Sequence, residues 1–185
     1  MARTPSKMIT LGSRMPAFRL PDALGVICDS DAIGNKPVLV MFICNHCPYV
    51  KHVASELARL ADAFLAMGIF VVAINSNDSD QYPEDGPAYM LKDAELYSYR
   101  FPYLIDRDQS VANAFDAACT PDFFLYDSHG DLYYRGELDG SRPGNGIAVD
   151  GSSLRDAAVQ LLSGKAFSGE QRASLGCNIK WTKTP

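Results

Sequence analysis

The chain has 185 residues, of which 47% are hydrophobic and 21% charged, and its formal net charge is −5. This length and composition suit one globular domain with a sizeable core, which we expect to span residues 1–185. Lys and Arg are scattered and form no basic stripe, so a nucleic acid is excluded as an expected partner. No apolar run is long enough for a secretory signal or a membrane span, and the sequence therefore predicts a cytoplasmic protein without a membrane partner.

The first clearly patterned element is a strand followed by a helix. Residues 37–44, Pro-Val-Leu-Val-Met-Phe-Ile-Cys, form a continuous apolar run that is typical of a strand buried on both faces. After Pro48, apolar side chains recur at helical spacing as far as Phe64, and Gly68 follows as a stop signal. Residues 68–75 supply a second apolar strand, so the sequence predicts a βαβ unit.

The remaining elements are shorter. We expect a helix over 87–97, a strand over 102–105, a short helix over 110–115, a hairpin of strands over 123–126 and 132–136, and a helix over about 153–163 with a serine cap before it and Gly164 after it. Residues 76–86, 139–151 and those after Gly169 show little pattern. This alternation of strands and helices predicts an α/β fold.

Two cysteines and two histidines fall within residues 42–52, at the junction between the first strand and its helix. This stretch reads Phe-Ile-Cys-Asn-His-Cys-Pro-Tyr-Val-Lys-His. Cys44 ends the strand and Cys47 enters the first helical turn, where backbone amides and the helix dipole favour an anion. Thiols of such Cys-X-X-Cys pairs have pKa values of roughly 3.5–7.5, against about 8.5 for an unperturbed cysteine. The pattern predicts a thiolate on Cys44, and Pro48 suits an early helical position.

The order of strand, cysteine pair, amphipathic helix and strand resembles the thioredoxin superfamily. Thioredoxin-like proteins carry a cis proline beside the cysteine pair, and Cys119-Thr120-Pro121 stands ahead of the strand over 123–126 as such a segment does. The resemblance implies a central mixed β-sheet flanked by helices and a cis bond between Thr120 and Pro121. It also implies that the backbone of Thr120 pairs with an extended substrate segment.

The start of the chain resembles the amino-terminal extension of the peroxiredoxin-like, AhpC/TSA-type branch of that superfamily. Residues 11–25, together with 141–145 and 176–181, extend the match over most of the chain. The resemblance implies one thioredoxin-like domain with an amino-terminal hairpin extension over about 9–35 and a carboxyl-terminal tail over about 166–185. No cofactor is expected.

The function favoured by these residues is that of an enzyme, a thiol-disulfide oxidoreductase with a redox-active disulfide. Cys44 would attack a substrate disulfide and Cys47 would resolve the mixed disulfide. The expected partners are a protein or small-molecule disulfide or thiol and an external thiol reductant, and a homodimer is compatible with this role. His46 lies where protein disulfide isomerase has the histidine of its Cys-Gly-His-Cys motif, so it is expected to stabilise the thiolate. Thioredoxin's buried Asp, six residues before the pair, is replaced by Val38.

Several neighbours are expected to support the pair, namely Asn45, His46, Pro48, Thr120 and Pro121, with Cys119 and Arg142 as further candidates. Cys119 precedes the proline by two residues, and both a third redox thiol and a packing residue stay open for it. Arg142 could bind an anion near the site or brace its loop through an ion pair. Packing or surface roles are expected for Cys28, Cys177, Tyr49, His52 and Trp181.

A peroxiredoxin-like peroxidase is the first alternative. In peroxiredoxins the attacking cysteine begins a helix before a proline, with a threonine three residues earlier and an arginine near a later strand. Cys47 and Pro48 match, but Cys44 occupies the threonine position and Pro121 the arginine position. A breaking peroxide bond needs positioned donors and positive charge, so the sequence disfavours this antioxidant activity.

A metal-binding module is the second alternative. Cys44, His46, Cys47 and Cys119 could supply ligands for zinc or copper(I). Copper-delivery proteins of the thioredoxin fold, however, separate their cysteines by three residues and add a distant histidine. A structural zinc site would show a second ligand pair, and the sequence shows neither arrangement, so no metal ligand set is expected.

Overall fold

The computed structural model describes residues 3–182. Within them the chain forms ten strands and four α-helices. The strands are β1 (Arg3–Pro5), β2 (Arg19–Pro21), β3 (Ile27–Asp29), β4 (Val38–Phe42), β5 (Phe70–Asn75), β6 (Tyr103–Ile105), β7 (Cys119–Thr120), β8 (Asp122–Tyr126), β9 (Leu132–Gly136) and β10 (Leu175–Asn178). The helices are α1 (Pro48–Ala66), α2 (Pro87–Leu96), α3 (Ser110–Ala114) and α4 (Ser152–Leu162).

Five strands form the central sheet, in the order β6-β5-β4-β8-β9. β4 pairs in parallel with β5 and antiparallel with β8, so the sheet is mixed. Every residue of β4 is buried, as its continuous apolar sequence predicts for a strand covered on both faces. The predicted α/β, thioredoxin-like fold class is confirmed.

The predicted βαβ unit consists of β4, α1 and β5. Helix α1 begins at Pro48 and buries one apolar stripe against the sheet, from Val50 to Phe64. Gly68 follows the helix with a φ of +87°, a left-handed conformation that glycine adopts without a side-chain clash. The site at the start of α1 is therefore attached to a strand that is buried along its whole length.

A second sheet joins both ends of the described chain, in the order β1-β10-β7. The stretch after Gly169 was expected to lack pattern, but it contains β10, which pairs with β1 on one side and β7 on the other. Because β10 has only four residues, its pairing partners determine it more than its own sequence does. The expected amino-terminal hairpin is present as β2 and β3.

The start of α4 differs from the predicted serine cap. Gly151, with a φ of +65°, is the N-cap residue, and its amide donates to the Asp139 carboxylate at 2.7 Å. A Cβ at Gly151 would lie 3.1 Å from a methyl carbon of Leu60, so packing against α1 favours glycine there. Among residues 3–182, the structure contains no helix with the length and apolarity needed to cross a lipid bilayer.

Candidate active site

The cysteine pair lies against the strand that precedes Pro121. Cys44 follows β4, Cys47 is the N-cap residue of α1, and Pro48 is the first residue of that helix. The Cys44 sulfur is 3.2 Å from the Thr120 hydroxyl, and the Cys47 sulfur is 3.1 Å from the Thr120 carbonyl oxygen. The bond between Thr120 and Pro121 is cis, as the resemblance implied. Thr120 therefore contacts both sulfurs.

Both sulfurs are buried in the core between the sheet and α1. Cys44 is 1% exposed and Cys47 is 0% exposed. Between the two cysteines, the His46 side chain is 15% exposed. A reacting molecule therefore reaches the pair only after side chains that cover the two sulfurs move.

The two thiols have opposite pKa shifts. The pKa of Cys47 is lowered to about 5, mainly by a hydrogen bond from Cys44. Burial acts in the opposite direction and raises this pKa. The Cys177 thiol and the backbone amides of Val50 and Cys177 lower it further. Burial raises the pKa of Cys44 well above its ordinary value, and its bond to Cys47 and the Asp85 carboxylate add to the rise. The prediction of a thiolate on Cys44 is therefore wrong for this reduced state. The amides at the start of α1 favour the anion on Cys47.

Asp85 organises the motif, and the sequence analysis missed it. Its buried carboxylate accepts hydrogen bonds from the amides of Asn45 at 2.8 Å and His46 at 3.2 Å. The His46 ring nitrogen Nδ1 lies 2.5 Å from the same carboxylate, and the Asn77 side chain donates to it at 2.7 Å. Burial alone would raise the pKa of Asp85, but these bonds outweigh it and hold the pKa below its usual value. The only sequence signal was an acidic turn within a weakly patterned stretch.

The two residues between the cysteines are fixed by this side of the site. The His46 ring stacks on Tyr82, with centroids 5.4 Å apart and planes at 8°. The Asn45 side chain accepts from the Tyr103 hydroxyl at 2.8 Å and donates to the Glu84 carbonyl at 3.0 Å. Because both side chains have partners outside the motif, the turn that carries Cys44 is held on two sides.

Cys177 was expected to be a packing residue, but its sulfur lies 3.0 Å from the Cys47 sulfur. It is 1% exposed and stands opposite Thr120 in the pairing of β10 with β7. Three sulfurs therefore meet around Thr120. No periodicity marked this position, because a four-residue strand carries too little pattern.

Cys119, the other candidate third thiol, stays apart from the pair. Its sulfur contacts the Pro121 carbonyl oxygen at 3.6 Å. Burial raises its pKa, and the Asp122 carboxylate raises it further. Of the two roles left open for Cys119, this environment favours the packing residue.

Arg142 and His52 both serve the loop after β9. Arg142 forms an ion pair with Glu137 and donates to the Asp139 carbonyl at 2.6 Å, which is the bracing role considered for it. His52 was expected on the solvated face of α1, but it is half-buried and its Nε2 lies 2.7 Å from the Ser141 hydroxyl. Arg142 therefore braces the loop internally, and His52 links the loop to the start of α1.

One group of side chains offers donors at metal-binding separations. The Cys44 sulfur, a His46 ring nitrogen and an Asp85 carboxylate oxygen lie within 4.8 Å of one another. A thiolate, an imidazole and a carboxylate suit zinc. The carboxylate, however, already accepts four hydrogen bonds, two of them from His46 itself. These hydrogen bonds are sufficient to hold the three side chains at the observed separations.

Comparison with known proteins places the chain among relatives of the same fold. It is 48% identical to an uncharacterized conserved protein from Geobacillus kaustophilus, with a TM-score of 0.96 and coverage of 100% of this chain and 99% of that chain. A hypothetical protein from Sinorhizobium meliloti 1021 is 46% identical, with a TM-score of 0.95 and coverage of 98% and 100%. The chain is also 26% identical over 129 residues to the thiol-disulfide oxidoreductase ResA of Geobacillus kaustophilus (strain HTA426), which covers 70% of each chain.

The family model that matches this chain covers residues 11–135, which is more than half of its length. The matched stretch contains Cys44, Cys47, Asp85 and the Thr120–Pro121 segment, whereas β10 lies outside it. The chain therefore belongs to the AhpC/TSA family.

Proposed function

We propose that this protein is a thiol-disulfide oxidoreductase that cycles Cys44 and Cys47 between dithiol and disulfide. The observation that carries the proposal is a hydrogen-bonded thiol pair at the start of α1, in which the pKa of Cys47 is lowered to about 5. A thiolate is the attacking species in thiol-disulfide exchange, and the pair holds one negative charge at neutral pH, which rests on Cys47. The similarity to ResA supports the same reaction class.

The geometry suggests an order of events within the pair. Cys44 lies beside the His46 ring, which is partly exposed, whereas Cys47 lies between Thr120 and Cys177, which are both buried. We assign the first attack to Cys44, after its proton passes to Cys47 along their hydrogen bond. Cys44 then bonds to one substrate sulfur, and the other leaves as a thiolate that takes the proton from Cys47. Cys47 attacks Cys44, releases the second substrate thiolate and closes the disulfide, which an external thiol reduces.

For a substrate to reach Cys44, side chains on the His46 side of the site have to move. A cleft of about 900 Å³ is lined by residues that include Asn75, Asn77 and Asp85. We propose that a peptide or small-molecule disulfide binds at this cleft and that separation of His46 from Asp85 exposes Cys44. The proposed setting is a reducing compartment such as the cytoplasm, where the dithiol is the resting form.

Trapping of a mixed disulfide tests the proposed roles. With oxidised glutathione as the probe, Cys47→Ser should accumulate a stable glutathione adduct on Cys44, because no second thiol of the pair can release it. Cys44→Ser should not accumulate one at Cys47. Cys28→Ser is the matched control, because its half-exposed thiol lies outside the cluster and its loss should leave turnover unchanged. An adduct at Cys47 alone would reverse the roles, and turnover that survives both pair variants would reject the proposal.

A peroxidase is the second candidate, and a specific observation favours it. Cys47 is the N-cap residue directly before Pro48, and its pKa is lowered to about 5. The Cys47 thiolate would take one peroxide oxygen to give a sulfenic acid and release an alcohol or water, and Cys44 would then form the disulfide and release water. The test is hydrogen peroxide consumption with dithiothreitol as reductant. Full consumption by Cys44→Ser and none by Cys47→Ser would favour the peroxidase over the oxidoreductase.

A further inference from the structure

Cys47 contacts a third sulfur as well as that of Cys44. Its sulfur lies 3.0 Å from the sulfur of Cys177, and both side chains are buried. A disulfide bond is about 2.05 Å long, so a displacement of about 1 Å would bring these two atoms to bonding distance. Cys47 caps α1 and Cys177 lies in β10, so this contact joins two separate elements of the fold.

The depth at which β10 packs depends on a glycine. Cys177 stands opposite Thr120 in the pairing with β7, and Gly176 precedes it. A Cβ at Gly176 would lie 2.0 Å from the Thr120 carbonyl oxygen, which is far inside any real carbon–oxygen contact. Glycine permits this close approach of two backbones. The same carbonyl oxygen lies 3.1 Å from the Cys47 sulfur, so the approach that needs Gly176 also brings Cys177 to Cys47.

Cys47 is the middle member of a three-thiol cluster that consists of Cys44, Cys47 and Cys177. The Cys44 thiol donates to it from one side and the Cys177 thiol from the other. Burial and the bond to Cys47 raise the pKa of Cys177 to about 12, so Cys177 keeps its proton while Cys47 carries the charge. Either neighbour is therefore placed to form a disulfide with the same central sulfur.

We propose that Cys177 is a third redox-active thiol, which displaces Cys44 from the Cys44–Cys47 disulfide and forms a disulfide with Cys47. As Cys177 gives up its proton, its sulfur attacks the Cys47 sulfur. The Cys47–Cys177 bond forms while the Cys44–Cys47 bond breaks, and Cys44 leaves as a thiolate that takes up the proton. The chain holds one disulfide before and after the step, so no outside oxidant or reductant is needed.

This inference deepens the proposed function and rests on it only for the formation of the first disulfide. Its consequence is that the disulfide moves from the His46 side of the site to the β10 side. Cys44 returns to the thiol form, and β10 becomes covalently attached to the start of α1. The covalent link would then hold β10 in its position beside Thr120 for as long as the protein stays oxidised.

Disulfide mapping tests the proposal in a Cys28→Ser background. Trypsin releases Cys44 and Cys47 in peptide 20–51, because Lys36 is followed by Pro37, and it releases Cys177 in peptide 173–180. The protein is oxidised with diamide, quenched in acid, alkylated with N-ethylmaleimide, digested and analysed by mass spectrometry. We expect the two peptides to be joined, both in this background and after the further change Cys44→Ser, in which Cys47 is the only cysteine left in peptide 20–51. Cys119, in peptide 108–135, is the buried control and should stay outside the bond.

Separate, fully alkylated peptides in the Cys44→Ser variant would overturn the proposal, provided that its circular dichroism matches that of the parent. If that variant does not fold, the result from the Cys28→Ser parent is used instead. Joined peptides that carry the alkyl group on Cys44 support the inference, and the absence of such peptides overturns it. The proposed function has its own signal in a Cys28→Ser, Cys177→Ser variant: a peptide 20–51 that is two hydrogens lighter, because no transfer to Cys177 can remove the first disulfide there. Absence of that species would reject the Cys44–Cys47 cycle and with it the transfer step. Its presence in that variant, together with separate peptides in the parent, would reject the role of Cys177 alone.

Discussion

Two buried cysteines lie on either side of Thr120, and their environments are opposite. Cys47, at the junction of β4 and α1, has two thiols and backbone amides as hydrogen-bond donors, and its pKa is lowered to about 5. Burial raises the pKa of Cys119, in β7, and the Asp122 carboxylate raises it further, while a hydrogen bond with Ser6 offsets only part of the rise. Both thiols are buried, so the difference shows that the donors to Cys47 outweigh a burial penalty that prevails at Cys119.

The two regions also contain a buried carboxylate each, with different partners. Asp85 accepts from amides, an imidazole and an Asn side chain at the junction. Asp122 pairs with the wholly buried Arg135 at 3.0 Å and accepts from the Ser6 hydroxyl at 2.8 Å. The first carboxylate positions the residues between Cys44 and Cys47, whereas the second closes an ion pair inside the core. Variants in the β7–β8 region should therefore change stability, and variants at the junction should change redox chemistry.

The largest expected effect is a loss of stability at Arg135. Arg135→Met keeps much of the volume over the Phe124 ring, which the guanidinium faces at 4.2 Å, but leaves Asp122 buried without its cation. We expect the free energy of unfolding to fall by about 3–5 kcal/mol, measured by urea denaturation. Trapping of glutathione by Cys44 should persist in the folded fraction. A stability equal to that of the parent would show that the ion pair is not what holds this region together.

Cys47→Ser should remove the thiolate and its pH dependence. The Cys47 thiolate absorbs near 240 nm, and we expect one thiolate per chain to appear with a midpoint near pH 5 in the parent and to be missing in the variant. Between that pKa and the unfolded value of about 8.5, the unfolded chain binds the extra proton, so rising pH stabilises the native state by on the order of 1 kcal/mol per pH unit. This contribution is fully present above about pH 8.5 and is lost as the pH falls to about 5.

The matched variant for this titration is Cys44→Ala. It removes the largest donor to Cys47, so the absorbance midpoint should move to higher pH. A midpoint that stays near 5 would contradict the role of the hydrogen bond from Cys44 and assign the shift to the backbone amides of α1.

Asp85→Asn should have an intermediate effect. The amide cannot replace all four hydrogen bonds that the carboxylate accepts, so we expect a loss of about 1–3 kcal/mol in the free energy of unfolding. The substitution also removes a negative charge that raises the pKa of Cys44, so that pKa should fall. Reaction of Cys44 with oxidised glutathione in the Cys47→Ser background measures this. An unchanged rate and pH profile would show that Asp85 has no influence on the pair.

The smallest effect is expected at Cys119. Cys119→Ala removes one buried sulfur and should cost about 1 kcal/mol in the free energy of unfolding. The 240 nm titration and the glutathione adduct should match those of the parent. A shifted midpoint of the thiolate titration would contradict the contrast drawn between Cys47 and Cys119, because it would show that Cys119 is part of the site.

Much of the framework was predictable because its signals are local. The apolar run before the motif became β4, and the helical spacing after Pro48 became α1. The serine cap of α4 was wrong because the Asp139 carboxylate and the packing against Leu60 place Gly151 at the N-cap. The location of the thiolate was wrong because the helix-start rule does not include the donors and the carboxylate that separate Cys47 from Cys44.

The sequence by itself determined the α/β order, the Cys-X-X-Cys at a strand-to-helix junction and the proline of the cis segment, because each depends on residues that are neighbours in the chain. Tertiary structure decided which sulfur holds the charge, since the local bond between Cys44 and Cys47 is joined by a distant donor to Cys47, the Cys177 thiol, and by a distant carboxylate that opposes charge on Cys44, that of Asp85. The Asp85 carboxylate reaches His46 across 39 positions, and Cys177 reaches Cys47 across 130. No local pattern encodes such contacts, because they form only when β10 and the turn before α2 pack around the start of α1.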